Sequence, residues 1–241
     1  MASSPHKVFV LTGAGISAES GISTFRDQQG LWEAHRIEDV ASPAGFHRNP
    51  ELVLNFYNQR RAQLLDPSLH PNAAHLALAD FEQQWCALGG EFTLVTQNVD
   101  NLHQRAGSER LICLHGQLQS ALCPLSRQSH AWTGALQLGD LCPCCRPAQQ
   151  LRPDIVWFGE MPYHFETCLA AAQQADVFIS IGTSGQVYPA AGLMEEAQQA
   201  WKVEVNLAPT RQDWDLGLYG PASEQLPPYL HQLIEALAKT R

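Results

Sequence analysis

Four short apolar runs alternate with segments of helical pattern along the chain. The runs cover residues 8–11, 92–96, 177–181 and 203–207 and are rich in Val, Ile, Leu and Phe. Continuous apolar runs of this kind are typical of parallel strands that are buried on both faces. Helix-like patterns cover 73–84, 165–174, 190–201 and 229–239. The alternation predicts an α/β fold, a Rossmann-like doubly wound parallel sheet with helices on both faces.

Two segments interrupt that alternation and predict a smaller inserted domain. Residues 28–61 have a mostly helical pattern, whereas 120–150 carry four cysteines, several turn-forming residues and little periodicity. We therefore expect a Rossmann-like domain built from 1–27, 62–119 and 151–241. The small domain would combine a helical insert, 28–61, with a degenerate zinc-ribbon-like insert, 120–150.

Charge and hydropathy narrow the classes of function. The 241 residues carry a formal net charge of -9, which argues against a nucleic-acid partner but not against cationic peptides. No apolar run approaches the roughly 18 residues that a membrane span needs. The segment before the first predicted strand, residues 1–7, is short and polar, whereas a secretory signal has a longer apolar stretch. We therefore expect a cytoplasmic protein, without a membrane or nucleic-acid partner, and a monomer.

A glycine turn follows the first predicted strand. Gly13 and Gly15 would let the backbone approach a phosphate, and Ala18 stands where dinucleotide-binding turns place a third glycine or alanine. The same spacing also suits a tight turn without a ligand. The acidic residue that dehydrogenases carry about 20 residues further on would be Asp27 or Glu33, and neither follows a strand. An ordinary nicotinamide dehydrogenase is therefore disfavoured.

Six motifs, in order, resemble those of the sirtuins. Residues 13–26 read GAGISAESGISTFR, 96–103 read TQNVDNLH and 153–160 read PDIVWFGE, similar to the sirtuin patterns GAGxSxxSGIxxFR, TQNxDxLH and PxVVxFGE. Three shorter motifs fit the same family order: Leu-His-Gly at 114–116, between the second and third of these, then Gly-Thr-Ser at 182–184 and Tyr-Pro-Ala at 188–190. Asn206 follows them. From about Lys7 to the last helix, the chain resembles the Sir2-type NAD-dependent protein deacylases, in particular the bacterial, sirtuin-5-like desuccinylase subgroup.

The resemblance implies a reaction and its catalytic residues. Sirtuins cleave the bond between nicotinamide and ribose in NAD and move the acyl group of an acyl-lysine onto ADP-ribose. The products are nicotinamide, free lysine and O-acyl-ADP-ribose. His115 would be the general base, a task that suits a side chain whose pKa lies near the working pH. Asn98 and Asp100 would hold the nicotinamide ribose and the carboxamide, and Phe25 would shield the reactive ribose from water.

The cofactor-binding set implied in this way spans the glycine turn and the ends of three later strands. It consists of Gly13, Ala14, Gly15, Ser17, Ala18, Phe25, Arg26, Gln97, Asn98, Asp100, His115, Gly182, Thr183, Ser184, Asn206, Leu207 and Ala222.

The substrate-binding set follows from the same resemblance. Residues 156–160 and 186–188 resemble the two edges that hold an extended acyl-lysine peptide by strand addition. Tyr57 and Arg60 share one helix face at i, i+3, and a pair in this position binds the distal carboxylate of acidic acyl groups in some sirtuins. A surface arginine beside a packing tyrosine is the alternative. The predicted contacts are Ala41, which would widen the acyl pocket, Tyr57, Arg60, Val156, Phe158, Gly159, Glu160, Val187 and Tyr188. We expect a desuccinylase or demalonylase with weaker deacetylase activity.

The cysteines predict an incomplete metal site. Structural zinc in sirtuins uses two C-x-x-C pairs. Cys142 and Cys145 keep this spacing, but Ser126 stands three residues after Cys123, and serine is a poor zinc ligand. Zinc could bind Cys123, Cys142, Cys145 and a substitute, either Cys144 or His130. Alternatively the loop could be metal-free, or hold a disulfide, which a reducing compartment disfavours. We favour a site without tightly held zinc, and a structural role for any metal.

The remaining cysteines and two other functions complete the expectations. Cys86, Cys113 and Cys168 lie in apolar contexts and are expected in the core. The same NAD site could serve mono-ADP-ribosyl transfer to a protein. A non-catalytic NAD sensor would require a defect at His115, Asn98 or Asp100, and none of these positions departs from the sirtuin motif.

Overall fold

The computed structural model describes residues 6–23, 31–32 and 35–239, the pair 31–32 by its backbone alone. Phe25 and Arg26, two of the predicted cofactor contacts, and Asp27 and Glu33 lie outside the described residues. The strands are β1 (Lys7–Thr12), β2 (Leu31–Trp32), β3 (His35–Arg36), β4 (Glu91–Thr96), β5 (Leu111–Cys113), β6 (Gly116–Leu122), β7 (Ser129–Ala131), β8 (Arg152–Ile155), β9 (Val177–Ile181), β10 (Trp201–Asn206) and β11 (Leu216–Tyr219). The α-helices are α1 (Ala14–Ala18), α2 (Ile37–Val40), α3 (Pro43–Arg48), α4 (Pro50–Gln63), α5 (Ala73–Ala87), α6 (Leu102–Ala106), α7 (Phe165–Gln173), α8 (Leu193–Glu196) and α9 (Ala222–Lys239), and a 3-10 turn covers Ala190–Gly192.

The predicted doubly wound sheet is confirmed. In the part of the chain that the structure describes, six parallel strands have the order β11-β10-β9-β1-β4-β5. The chain leaves β1 towards β4 and β5 on one side and later returns to β9 on the other. The strand order therefore reverses beside β1, and a reversal of this kind opens a crevice at the carboxyl ends of the strands.

Alternate residues of β1 pack into two different helical layers. Val8 and Val10 contact the α5 and α9 side, where Leu78 and Phe81 lie. Phe9 and Leu11 point the other way, into the layer that α7 and α8 complete with Cys168, Leu193 and Met194. Because strand side chains alternate between faces, an uninterrupted apolar run buries both faces at once.

Some element boundaries differ from the predictions. The edge strands β5 and β11 were not predicted, because they are short and β11 contains Gly217. The predicted helix at 190–201 is wrong beyond Glu196, where the chain turns and enters β10 at Trp201. Helix α9 begins at Ala222 rather than at residue 229, with Pro227 and Pro228 inside it. The burial of Ala222 and Leu226 against the sheet keeps that first part helical despite the prolines.

A second, three-stranded sheet has the order β7-β6-β8 and carries the cysteine-bearing loops. Strands β6 and β8 pair antiparallel and extend beyond the 120–150 segment at both ends. In the described part of 28–61, a β2–β3 pair precedes α2, α3 and α4. The division into two domains stays a prediction. In the described ranges, no helix combines the length and the apolarity needed to cross a membrane.

Candidate functional site

Two loops meet by backbone contact at the carboxyl ends of β1 and β9. Gly15 donates its backbone N–H to the oxygen of Gly182 at 2.8 Å, and Gly13 donates to Ile181 at 2.9 Å. A Cβ atom on Gly15 would lie 2.7 Å from Gly182, and one on Gly13 would lie 2.8 Å from Thr183. Glycine is therefore required here for the approach of the two loops. The glycines are therefore needed for the contact between the two loops, in addition to any role in binding a phosphate.

His115 lies between β5 and β6, with its ring beside the end of β4. Its Nδ1 atom is 3.1 Å from the backbone oxygen of Gln97. A carbonyl oxygen can only accept, so Nδ1 carries the proton and Nε2 has the lone pair. Burial lowers the pKa of His115, which keeps the ring neutral near pH 7. Gly116 holds this position at φ +83°, since a Cβ there would lie 2.0 Å from the oxygen of Asp154.

Three buried polar side chains form a network in front of the glycine turn. Asn98 donates through Nδ2 to the oxygen of Gly13 at 3.0 Å and to Oγ of Ser17 at 3.1 Å. Ser17 donates in turn to Oδ2 of Asp100 at 2.9 Å, and Oδ1 of Asp100 accepts from the backbone N–H of Leu102 at 3.0 Å. Burial raises the pKa of Asp100. Since both amide protons of Asn98 are engaged, its Oδ1 atom is the group left for a ligand.

One large cavity connects these residues with the small sheet. Its volume is about 440 Å³, within the range of ligand sites. Its lining includes every predicted cofactor contact that the structure describes, namely Gly13, Ala14, Gly15, Ser17, Ala18, Gln97, Asn98, Asp100, His115, Gly182, Thr183, Ser184, Asn206, Leu207 and Ala222. It also includes every predicted substrate contact, namely Ala41, Tyr57, Arg60, Val156, Phe158, Gly159, Glu160, Val187 and Tyr188. These residues therefore share one site, and the role of each stays a prediction.

The far side of the cavity lies at the ends of β9 and β10. Gln97 donates to Oγ1 of Thr183 at 3.1 Å, and Asn206 donates to the backbone oxygen of Thr183 at 2.9 Å. Leu207 is 75% exposed at the rim, whereas Ala222 is buried where α9 begins. The cavity thus runs along the carboxyl edge of the sheet, where α/β folds bind elongated ligands.

Helix α4 supplies Tyr57 and Arg60 to the cavity wall. Asn49 caps this helix by accepting the N–H of Leu52 at 3.1 Å, and Pro50 occupies its first position. Arg60 is only 7% exposed. Its Nη1 donates to the oxygen of Phe56 at 2.7 Å, and its guanidinium lies 3.3 Å from the centre of the Phe56 ring. Arg60 is therefore a buried cation in the cavity wall, a setting that suits an anionic ligand.

Trp157 is a cavity residue that the sequence analysis did not single out. Its Nε1 donates to the Tyr57 hydroxyl at 3.0 Å, and its side chain is 2% exposed. It stands inside the 153–160 motif, between two predicted substrate contacts, so its position was the available signal. The carboxylate of Glu160, a predicted substrate contact, accepts from the backbone N–H of Trp157 at 2.9 Å and from Arg152.

The structure brings together the three cysteines of the predicted site and Cys144, one of the two substitutes that the sequence offered. The sulphur atoms of Cys123, Cys142, Cys144 and Cys145 all lie within 4.8 Å of one another. The Cys123–Cys145 and Cys144–Cys145 separations are 3.6 and 3.8 Å. Four thiolates about 2.3 Å from a tetrahedral zinc would be about 3.8 Å apart. The cluster therefore fits zinc. The sequence-based preference for a site without tightly held zinc rested on the ligand lost at Ser126, although Cys144 was one of the two substitutes considered.

Cys144 stands beside the serine that replaces the missing ligand. Oγ of Ser126 lies 3.1 Å from the Cys144 sulphur, and Nε2 of His130 lies 3.7 Å from it. The expectation for the scattered cysteines holds best for Cys168, which is fully buried beside α8, while Cys86 and Cys113 are half-buried.

Comparisons with known proteins agree with this geometry. The Sir2 family model matches residues 13–189. A relative from Bdellovibrio bacteriovorus, named NAD-dependent protein deacylase, is 55% identical over 95% of this chain and 97% of its own length. A relative of the same name from Vibrio cholerae is 51% identical over 97% of this chain and 96% of its own length.

Solved structures give the same answer. A Sir2 homologue in complex with NAD has a TM-score of 0.83 and 38% identity, over 96% of this chain and 90% of the other. A structure described as Sir2Af2 bound to a myristoylated histone peptide has a TM-score of 0.70 and 30% identity, over 98% of this chain and 93% of the other. With the neutral imidazole of His115 beside the glycine turn in one cavity, these matches show that the chain belongs to the Sir2 family.

Proposed function

We propose that this protein removes acidic acyl groups, succinyl or malonyl, from protein lysines, with weaker activity on acetyl-lysine. The chain is an NAD-dependent protein deacylase, as are the relatives that match nearly its whole length. The acyl preference goes beyond what those names say. It is supported by the buried Tyr57 and Arg60 side chains, which both line the cavity.

The observation that carries the catalytic proposal is the hydrogen bond between His115 and Gln97. NAD supplies a ribose carbon that bears a good leaving group, nicotinamide. The chain must supply a base for a ribose hydroxyl, and Nε2 of His115 has the lone pair for that task. Because burial lowers the pKa of His115, the base stays neutral near pH 7.

The network around Ser17 supports the roles proposed for Asn98 and Asp100. We infer that Oδ1 of Asn98 and the Asp100 carboxyl orient the nicotinamide end of NAD. Their side chains are 8% and 7% exposed and are held by the hydrogen bonds to Gly13, Ser17 and Leu102. Groups already held in place lose little conformational freedom when a ligand binds.

The acyl group would enter from the opposite side, between two loops. Residues 156–160, together with Val187 and Tyr188, line the cavity and lie outside the strands, so their backbone groups could pair with an extended peptide. Ala41, 4% exposed, leaves room where a larger side chain would narrow the acyl end. The Arg60 guanidinium would bind the distal carboxylate, and acetyl-lysine would lack this contact.

The test uses matched peptides that carry succinyl-, malonyl- or acetyl-lysine. The wild-type enzyme should act most efficiently on the acidic peptides, and Arg60→Met should abolish desuccinylation while keeping part of the deacetylation. Arg48→Met is the control, because Arg48 forms an exposed ion pair with Asp39. Equal loss of both activities, or no change in either, would contradict the assignment. Detection of O-acyl-ADP-ribose separates deacylation from ADP-ribosylation of the protein.

We further propose that the protein acts in the cytoplasm as a monomer, on cationic segments of other proteins and not on nucleic acid. The net charge of -9 supports an attraction to lysine-rich segments. Light scattering at assay concentrations tests the monomer, and a dimer would contradict it.

A further inference from the structure

Arg152 is a buried cation that the proposed chemistry does not use. It begins β8, and its side chain is 5% exposed. Its Nη2 donates to both carboxylate oxygens of Glu160, at 2.8 and 2.9 Å. Arg152 is held firmly in this ion pair, because separating two buried opposite charges leaves each of them uncompensated. Glu160 lines the cavity, so the pair joins β8 to the loop at the cavity wall.

Arg152 and Glu160 together hold Trp157 at two points. The guanidinium of Arg152 lies 4.1 Å from the centre of the Trp157 ring, in the position of a cation–π contact. The carboxylate of Glu160 accepts from the backbone N–H of Trp157 at 2.9 Å. The ring and the backbone of the tryptophan are therefore both fixed by the same ion pair.

Trp157 in turn contacts the residue that would bind the acyl carboxylate. Its Nε1 donates to the Tyr57 hydroxyl at 3.0 Å, and the two ring centres are 6.4 Å apart. An indole N–H can only donate, so the phenol oxygen accepts this bond. This contact restricts the directions in which the phenol can offer its own proton. Tyr57 comes from α4 and Trp157 follows β8, so the bond joins two separate elements that line the cavity.

We propose that Arg152 is a positioning residue for acyl selectivity, acting on Tyr57 through the Trp157 indole. This inference rests on the proposed function, in which Tyr57 and Arg60 bind the distal carboxylate of a succinyl or malonyl group. A tilted phenol would weaken the bond to that carboxylate. Acetyl-lysine has no distal carboxylate and would be affected little. The ion pair with Glu160 thus links selectivity to the loop that lines the peptide cleft.

The sharpest variant is Trp157→Phe, which keeps an aromatic ring beside Arg152 and removes the N–H that Tyr57 accepts. We expect KM for a succinyl-lysine peptide to rise roughly three- to tenfold, the range of one hydrogen bond. The ratio of this KM to the KM for the matched acetyl-lysine peptide should rise in the same way, while KM for NAD should stay within about twofold. Trp132→Phe is the control. The Nε1 atom of Trp132 donates to the backbone oxygen of Ala135 at 3.2 Å, and Trp132 does not line the cavity.

A second variant tests the arginine itself. Arg152→Lys keeps a cation beside Glu160 but loses the fork and the flat face over the indole. It should shift KM in the same direction as Trp157→Phe, whereas Arg48→Lys, in an exposed ion pair, should not. If a thermal melt shows that Arg152→Lys is not folded, the KM values of Trp157→Phe decide whether the indole positions Tyr57.

The outcomes separate this inference from the proposed function. A wild-type enzyme that ignores the succinyl peptide overturns the proposed preference, and this inference with it. A wild-type enzyme that prefers succinyl-lysine, together with variants that raise KM equally for both peptides, overturns this inference alone. A Trp157→Phe enzyme with an unchanged KM for the succinyl peptide also overturns this inference and leaves the proposed function standing.

Discussion

The imidazole of His115 is held by the backbone oxygen of Gln97, 3.1 Å from its Nδ1 atom. Gln97 follows β4 and His115 follows β5, so two neighbouring parallel strands place the base and its partner. The backbone of the TQN motif therefore selects the tautomer of a side chain 18 residues later. A side-chain substitution at position 97 would leave this contact in place.

The first prediction concerns the pH dependence of catalysis. The base must be neutral, and burial lowers the pKa of His115 below its ordinary value of about 6.5. We expect kcat/KM to be level between pH 7 and 8 and to fall only at pH values below about 6.5. His115→Ala should lower kcat by about 10²- to 10⁴-fold at pH 7.5. Initial rates across the pH range provide the check. An acidic limb centred above pH 6.5 would contradict a His115 pKa that burial lowers.

The second prediction concerns Ser17. Ser17→Ala removes the donor to Asp100 and the acceptor for Asn98, and leaves buried polar groups without a partner. We expect a loss of about 1–3 kcal/mol in the free energy of unfolding and at least a tenfold rise in KM for NAD. Urea denaturation and steady-state kinetics measure the two effects. Ser68→Ala is the control, since Ser68 donates to Asp66 at the surface. An unchanged KM for NAD would sink the idea that this network orients the ligand.

The third prediction concerns zinc. The four-cysteine cluster should bind one zinc per chain, with Cys144 in place of the ligand lost at Ser126. Cys144→Ser should lower the zinc content well below one per chain and lower Tm, because a structural metal stabilises the fold that binds it. Elemental analysis and calorimetry test both effects. Cys86→Ser, outside the cluster, should keep the metal. Full zinc occupancy in Cys144→Ser would show that another residue completes the site.

The fourth prediction concerns stability in acid. His75 and His103 are buried with ring centres 4.8 Å apart, and no partner for either nitrogen of His75 is found among the described residues. Burial lowers the pKa of His75 to about 4 and that of His103 to about 3. The unfolded chain, with pKa values near 6.5, binds more protons at lower pH. Stability is therefore lost as pH falls below 6.5, on the order of 1 kcal/mol per pH unit for each histidine.

Urea titrations at pH 7.5, 6 and 5 measure this slope. His75→Leu should make stability depend less steeply on pH, since His103 is then the only one of the two with a pKa that differs between the folded and the unfolded chain. His231→Leu, on the exposed side of α9, should follow the wild type. Parallel slopes for His75→Leu and the wild type would rule out the buried pair as the cause.

The sequence predicted the sheet well because its strands are buried on both faces. Four apolar runs, from Val8 to Asn206, became β1, β4, β9 and β10. The ordered motifs brought together the residues of one cavity. The edge strand β11 was missed, since a short edge strand needs few apolar residues. Trp157 and Arg152 were missed as well, because their importance comes from contacts with Tyr57 and Glu160, which are distant or unpatterned in sequence.

The backbone bond between Gly15 and Gly182 also has a consequence for engineering. Because the two loops touch without any side chain between them, neither can be exchanged alone for a loop from another dinucleotide-binding protein. A transplant would have to carry both segments together, although 167 positions separate them in the chain. Libraries that recombine the front and back halves of homologous chains should therefore lose function most often where the two glycines come from different parents.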